Sequence, residues 1–224
     1  MMKNKLVFVL TVIFALLLSG CAGKTGSAVE EAAASPEPVV ALSEAELDRV
    51  EELFTLMQTV DGKTQLNPLN CFLTSCYDSV EQIDMQAFLR YFPGSEGGGQ
   101  AEFEALRALP GWPFANLDRI ADMPVPLSRY DAESVRQALE KYAGLSLEDV
   151  DIRAEKGVYY LPEYDAFYNY TSDFGLEQPD FSRGEREGAV LRLYWQHPYE
   201  GERVLTLKET EVGYHVVSLQ RIAE

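Results

Sequence analysis

Apolar positions cluster first in Leu6–Leu18, a run broken only by Thr11 and preceded by Lys3 and Lys5. As a helix this run measures roughly 20 Å, short of the ~30 Å hydrocarbon core of a bilayer. A basic start, an apolar segment of this length and the small pair Ser19-Gly20 predict a removable secretory leader, not a permanent span. Hydrophobic periodicity then lapses between residues 22 and 42. Gly23–Ser27 is small and polar and Ser35-Pro36-Glu37-Pro38 is extended, so 21–42 reads as a flexible tether. Residues 43–224 have the length of a single domain with a sizeable core, and no internal repeat is evident.

Within that domain the first signals are helical. Ser43 and Glu46 form a capping box, and Leu47, Val50, Leu53, Phe54, Met57 and Val60 follow on one stripe. The pattern predicts an amphipathic helix over Ser43–Val60, closed by Asp61-Gly62. Pro68 opens a short helix over 68–77, with Leu69, Phe72, Leu73 and Cys76 at i, i+3, i+4 and i+7. Ile83–Phe92 is apolar and aromatic, and periodicity does not separate helix from strand there. Gly97–Gly99 marks an exposed turn. Gln100–Leu109 is helical in composition and stops at Pro110-Gly111, and the proline-rich stretch to Pro126 reads as an irregular loop. Asp131 then stands as an N-cap ahead of the stripe Val135, Ala138, Leu139 and Tyr142, with Gly144 where a left-handed residue ends a helix. Ser146–Asp149 adds one further helical turn.

After Asp151 the period moves from 3.6 towards 2. Tyr159–Tyr170 alternates around aromatic residues, and runs at 181–187, 190–195, 203–209 and 214–221 follow at short spacing. Brief polar turns between them predict antiparallel hairpins, not βαβ crossovers. The expected class is α+β: N-terminal amphipathic helices on one face of a C-terminal antiparallel meander of four or five strands.

Charge narrows the range of partners. The chain has 19 Lys and Arg against 36 Asp and Glu, a net charge of −17. Loss of residues 1–20 removes Lys3 and Lys5 and no acid, leaving −19 on the mature chain. Such an excess argues against nucleic acid and against an electrostatic grip on anionic lipid.

Leu18-Ser19-Gly20-Cys21 resembles the lipobox of bacterial lipoproteins. That resemblance implies transfer of a diacylglyceryl group to the Cys21 thiol, cleavage before it, and acylation of the new amino group, for instance by palmitate. Two or more acyl chains anchor stably where one is marginal. The membrane is thus an expected partner through the N-terminal lipid. An envelope protein or glycan is the expected ligand of the body, which would sit on the extracytoplasmic side of the cell membrane.

Cys71 and Cys76 are left over. Outside the cytoplasm such a pair invites a disulfide. On a helix, however, positions five apart diverge by about 140°. The helical reading makes Cys76 a small core residue; a disulfide is the alternative if that helix is absent.

Beyond the lipobox, Asn70–Asp78, Ile83-Asp84, Tyr130–Asp149, Leu161–Asp165 and the closing Gly-Glu-Arg, Leu-Arg-Leu-Tyr and Gly-Tyr-His-Val segments resemble uncharacterised lipoproteins of Gram-positive anaerobic bacteria. The likeness covers most of 66–221. It implies an architecture and an envelope with one membrane, and brings no catalytic residue.

Candidate chemistry is sparse. Tyr164, Tyr168 and Tyr170 fall on one side of an extended strand and form a candidate platform for stacking on sugar rings; the competing reading packs them into the core. Glu163 and Asp165, about 7 Å apart on the same strand, form a candidate carboxylate pair for an envelope polysaccharide or peptide hydrolase. Asp78 and Asp84 read as turn and cap residues, without the dense oxygen ligands of a calcium loop. His197 and His215 lack the spacing of metal ligands, so neither a metal nor another cofactor is expected. No Gly-x-Ser-x-Gly elbow or phosphate-binding loop occurs, and no catalytic residue is assigned. Trp112, beside a proline, is expected to plug the core. A pocket between the helices and a curved sheet, lined by Tyr168, Tyr194 and the first helix, is a further expectation.

Overall fold

The computed structural model describes residues 37–94, 96–170, 175–176 and 178–222. The leader, Cys21 and most of the expected tether lie outside the described residues.

The C-terminal half follows the alternation of its sequence. Strands β8 (Arg183–Glu187), β9 (Val190–His197), β10 (Gly201–Thr210) and β11 (Gly213–Arg221) form an antiparallel meander. Along β9, Leu191, Leu193 and Trp195 are buried while Arg192 and Tyr194 are partly exposed, the pattern of a sheet with one face on a core. Leu193, Leu205 and Leu219 lie opposite one another across β9, β10 and β11. Val217 is an extra residue at a bulge where the register shifts beside Thr206 and Leu207. The buried Arg203 ties the sheet to the segment before it, donating to the Leu73 carbonyl (3.3 Å) and to Glu200.

The sheet gains a fifth strand from the expected tether. β1 (Val40–Ala41) pairs with β8, and the Leu42 amide donates to the Gly184 carbonyl at 2.8 Å. The folded body therefore begins ahead of Ser43.

The expected helix over Ser43–Val60 is cut short. Its capping box forms, with the Ser43 amide donating to Glu46 Oε2 at 3.0 Å, but α1 spans Glu44–Glu51 and a 3-10 turn, Glu52–Phe54, ends it. Met57–Val60 is instead strand β2, paired with β3 (Lys63–Leu66). Asp61 and Gly62 take φ of 52° and 76°, the left-handed pair that a tight hairpin requires. Asn67 locks the neck of this hairpin: its Nδ2 donates to the carbonyls of Leu53 (2.7 Å) and Thr55 (3.1 Å). Asp-Gly and these carbonyl locks outweigh the continuing 3.6 period.

The cysteines also depart from expectation. Pro68–Leu73 is a 3-10 segment, which buries Cys71 and leaves Cys76 exposed, both as unbridged thiols. The tighter winding moves the apolar stripe from 76 to 71. Helix α2 (Met85–Arg90) resolves the ambiguous segment, with Asp84 Oδ1 accepting from the Gln86 and Ala87 amides.

A second antiparallel sheet has the order β4 (Glu96–Gly97), β5 (Ser128–Asp131), β7 (Ala166–Asn169), β6 (Tyr159–Leu161). Helix α3 (Gln100–Leu106) and Trp112 share its core with Leu127, Tyr159 and Tyr168. The larger core joins Phe54, Phe72, Phe88 and Leu139 to Leu191, Leu193, Leu205 and Leu219 of the meander. Helix α4 (Ala132–Ala143) contributes Val135, Ala138 and Leu139 to it.

Candidate functional site

Helix α4 begins and ends as its sequence requires. Asp131 Oδ2 accepts from the Ser134 amide at 3.0 Å, and Gly144 adopts φ 67°. The Gly144 amide donates to the Glu140 carbonyl (2.9 Å) and the Leu145 amide to Leu139 (3.2 Å), which satisfies the last turn. A helix so fixed presents Gln137, Glu140, Lys141 and Gly144 at i, i+3, i+4 and i+7, along one face.

That face forms one wall of a cleft of about 980 Å³. The opposite walls are the hairpin neck, with Leu53, Gln58 and Asn67, and the β10–β11 turn, with Val212, Gly213, Tyr214 and His215. Buried Phe54, Leu69 and Leu207 make its floor. A smaller hollow of about 360 Å³ shares Gln58, Gln137, Lys141 and Tyr142 and extends past Phe92, Pro93 and Ser134 towards the start of α4. Lys141 Nζ sits 4.6 Å from the centre of the Tyr142 ring and 3.0 Å from its hydroxyl.

Apolar side chains stand open around this groove. Leu53 and Val60 are 41% and 44% exposed, and Val212 at the β10–β11 turn is 89% exposed. Such a cluster beside a concavity marks an interaction surface more often than chance exposure of single residues does. The lining offers amides, aromatic rings and aliphatic contacts.

The candidate tyrosine platform does not form, and Tyr168 follows the core-packing reading. Tyr168 is 1% exposed in the core of the second sheet, and its hydroxyl donates to Glu102 Oε1 at 2.7 Å. Arg129 Nε donates to the same oxygen at 2.9 Å. Burial and the bond to Glu102 push the Tyr168 hydroxyl pKa well up. Burial would raise the Glu102 pKa, but donors from Gly99, Tyr168 and Arg129 outweigh it and hold that carboxyl below its usual value. Tyr164 lies on a 3-10 turn, Pro162–Tyr164, off any strand, and Tyr170 packs edge-on against Trp112 (5.4 Å) and Phe114 (5.0 Å). Asp165, at φ 43°, breaks the strand and with it the alternation that aligned the three tyrosines. Trp112 is 4% exposed, the core plug expected of it.

The carboxylate pair is dispersed by the same break. Glu163 is exposed on the turn, whereas Asp165 is held by Arg136 and by the Tyr160 hydroxyl (2.9 Å). Those two hydrogen bonds, Arg136 first, lower the Asp165 pKa. Every described carboxylate whose pKa is displaced is displaced downward, whereas a glycosidic general acid needs the opposite. Among the described residues no group of three or more His, Cys, Asp or Glu is placed to hold a metal ion. The expected pocket around Tyr168 and Tyr194 is replaced by the α4 groove. Tyr194 instead lies under the Arg183 guanidinium, 3.4 Å from its ring centre.

His215, Gln58 and Gln137 belong to different segments, and no spacing in the sequence links them. Lys141 and Tyr142 were legible only as helix surface and helix stripe.

No protein-family model, curated protein or solved structure matches the chain. Among the described residues no helix is long and apolar enough to cross a membrane.

Proposed function

We propose that the chain is an extracytoplasmic lipoprotein, anchored through acyl groups on Cys21, whose body is a non-catalytic binding module. The groove beside α4 is its ligand site. In this reading α1, α2 and α4 lie over one face of the five-stranded meander, and the lipid tether leads into β1 at the far edge of that sheet. The groove is then framed by α4, the hairpin and the β10–β11 turn.

The observation that carries the proposal is the coincidence of the two adjoining hollows along α4 with three exposed aliphatic side chains of their lining, Leu53, Val60 and Val212. The lipobox-like Leu18-Ser19-Gly20-Cys21 supports the address, as does the likeness to lipoproteins of single-membrane anaerobes.

The test applies the mature chain to arrays of cell-wall fragments, glycans and peptides. A ligand retained by wild type and lost in Lys141→Glu and Val212→Asp supports the groove. Retention unchanged in both variants counts against it. For the address, labelled palmitate is expected to enter wild type and not Cys21→Ala; equal labelling of the two would remove the anchor.

A further inference from the structure

We infer that the ligand of the α4 groove is an extended, uncharged peptide segment with apolar side chains. This rests on the reading of the groove as the binding site and adds the chemistry of what lies in it.

Shape is the first argument. The two hollows share Gln58, Gln137, Lys141 and Tyr142, so they form one furrow along α4. The helix has 12 residues, hence is roughly 18 Å long, which matches five or six residues of extended chain at ~3.3 Å each. A linear occupant fits this furrow better than a compact one.

Charge is the second. The chain as a whole carries −17. The furrow, in contrast, presents Asp131, Glu140, Lys141 and His215 as its acids and bases, and Asp131 is engaged in capping Ser134. A polycation would find far denser acid elsewhere on the surface, and a phosphate or sulfate would meet one lysine beside one glutamate. The near-neutral lining complements an uncharged ligand.

Surface chemistry is the third. Gln58, Gln65 and Gln137 line the furrow, and an amide side chain both donates and accepts, as a peptide main chain does. Leu53, Val60 and Val212 would be covered by apolar side chains of the occupant. A saccharide, which presents hydroxyls along its edges, would leave those aliphatic groups without partners.

The experiment uses the full mature chain in detergent micelles and fluorescence anisotropy. The probes are a pooled library of capped hexapeptides randomised over uncharged residues, matched libraries bearing Asp or Lys, and an uncharged chitin hexasaccharide. The uncharged library is expected to bind, with affinity reduced tenfold or more in Val60→Asp and in Val212→Asp. Tyr199→Asp, altered at an equally open residue in the β9–β10 turn, is expected to bind as wild type. Hexasaccharide binding that is lost in the same two variants would keep the groove as the site and overturn the peptide assignment. Peptide binding indifferent to both variants would overturn the groove itself. Binding of no probe would overturn the peptide assignment. Circular dichroism and urea midpoints matching wild type confirm that the exposed-site variants are folded.

Discussion

The imidazole of His215 packs against Gly144, its Cε1 and Nδ1 atoms 2.9 Å from the point where a Cβ on Gly144 would stand. One contact thus joins the end of α4 to β11 and sets the width of the groove at that end.

Gly144→Ala meets two penalties, a left-handed φ of 67° and collision with the ring. Left-handed backbone costs a side-chain-bearing residue about 1–2 kcal/mol, and the collision adds to it. A loss of about 2–3 kcal/mol is expected in urea unfolding. His215→Ala in the same chain is expected to restore the collision part and leave the backbone part, a coupling of at least ~0.5 kcal/mol in a double-mutant cycle. Strict additivity would show that the ring does not press on Gly144.

The Glu102 carboxylate, with donors from Gly99, Tyr168 and Arg129, predicts a pH dependence. Its pKa in the fold lies below the ordinary 4.5, so folding favours the ionised form. Stability from it is present above the unfolded value and is lost as pH falls through the folded one. Tyr168→Phe is expected to cost about 1–2 kcal/mol near pH 7. Glu102→Gln is expected to cost about 1–3 kcal/mol there, a deficit relative to wild type that shrinks as pH falls below the unfolded value and through the lowered folded one. Urea midpoints across that range measure it, and a constant deficit would contradict the assignment.

Thiol accessibility separates the two body cysteines. Burial raises the pKa of both, far more for the fully buried Cys71 than for the exposed Cys76. Iodoacetamide is expected to modify Cys76 in the native chain, faster as pH rises, and Cys71 only in denaturant. Native modification of Cys71, read by peptide mass, would contradict the 3-10 geometry of Pro68–Leu73.

Asn67 holds the neck of the β2–β3 hairpin through two carbonyls of the preceding turn. Asn67→Ala removes the donor to the Leu53 carbonyl and one of two donors to the Thr55 carbonyl, which keeps Asn70 Nδ2 at 3.2 Å, and a loss of about 0.5–1.5 kcal/mol is expected. Faster amide exchange should then appear over 57–66, while β9 and β10 keep their protection. Uniform exchange across the body would mean that the hairpin is not a separate element.

The contrast between what could and could not be read in the chain is physical. Leu191, Leu193 and Trp195 alternate because one sheet face meets a core, and Asp131 and Gly144 bracket α4 because helix ends need those chemistries. These are local rules, and they hold. Met57–Val60 continues the helical period, and it is Asp61-Gly62 and Asn67, a residue outside the window, that override it. Residue 165 turns left-handed and undoes an alternation that is correct on either side of it. The groove is least legible of all, since Gln58, Lys141 and His215 meet only through tertiary packing.

Val212 and Tyr199 are exposed to almost the same degree, 89% and 87%, and lie in different turns of the meander. A photo-crosslinking amino acid placed at either position therefore has equal access to solvent, and only occupancy of the α4 groove distinguishes them. In intact envelopes the account predicts a discrete adduct from position 212 and none from position 199. An adduct from 199 with none from 212, or equal yields from both, would contradict the assignment of the groove as the binding site.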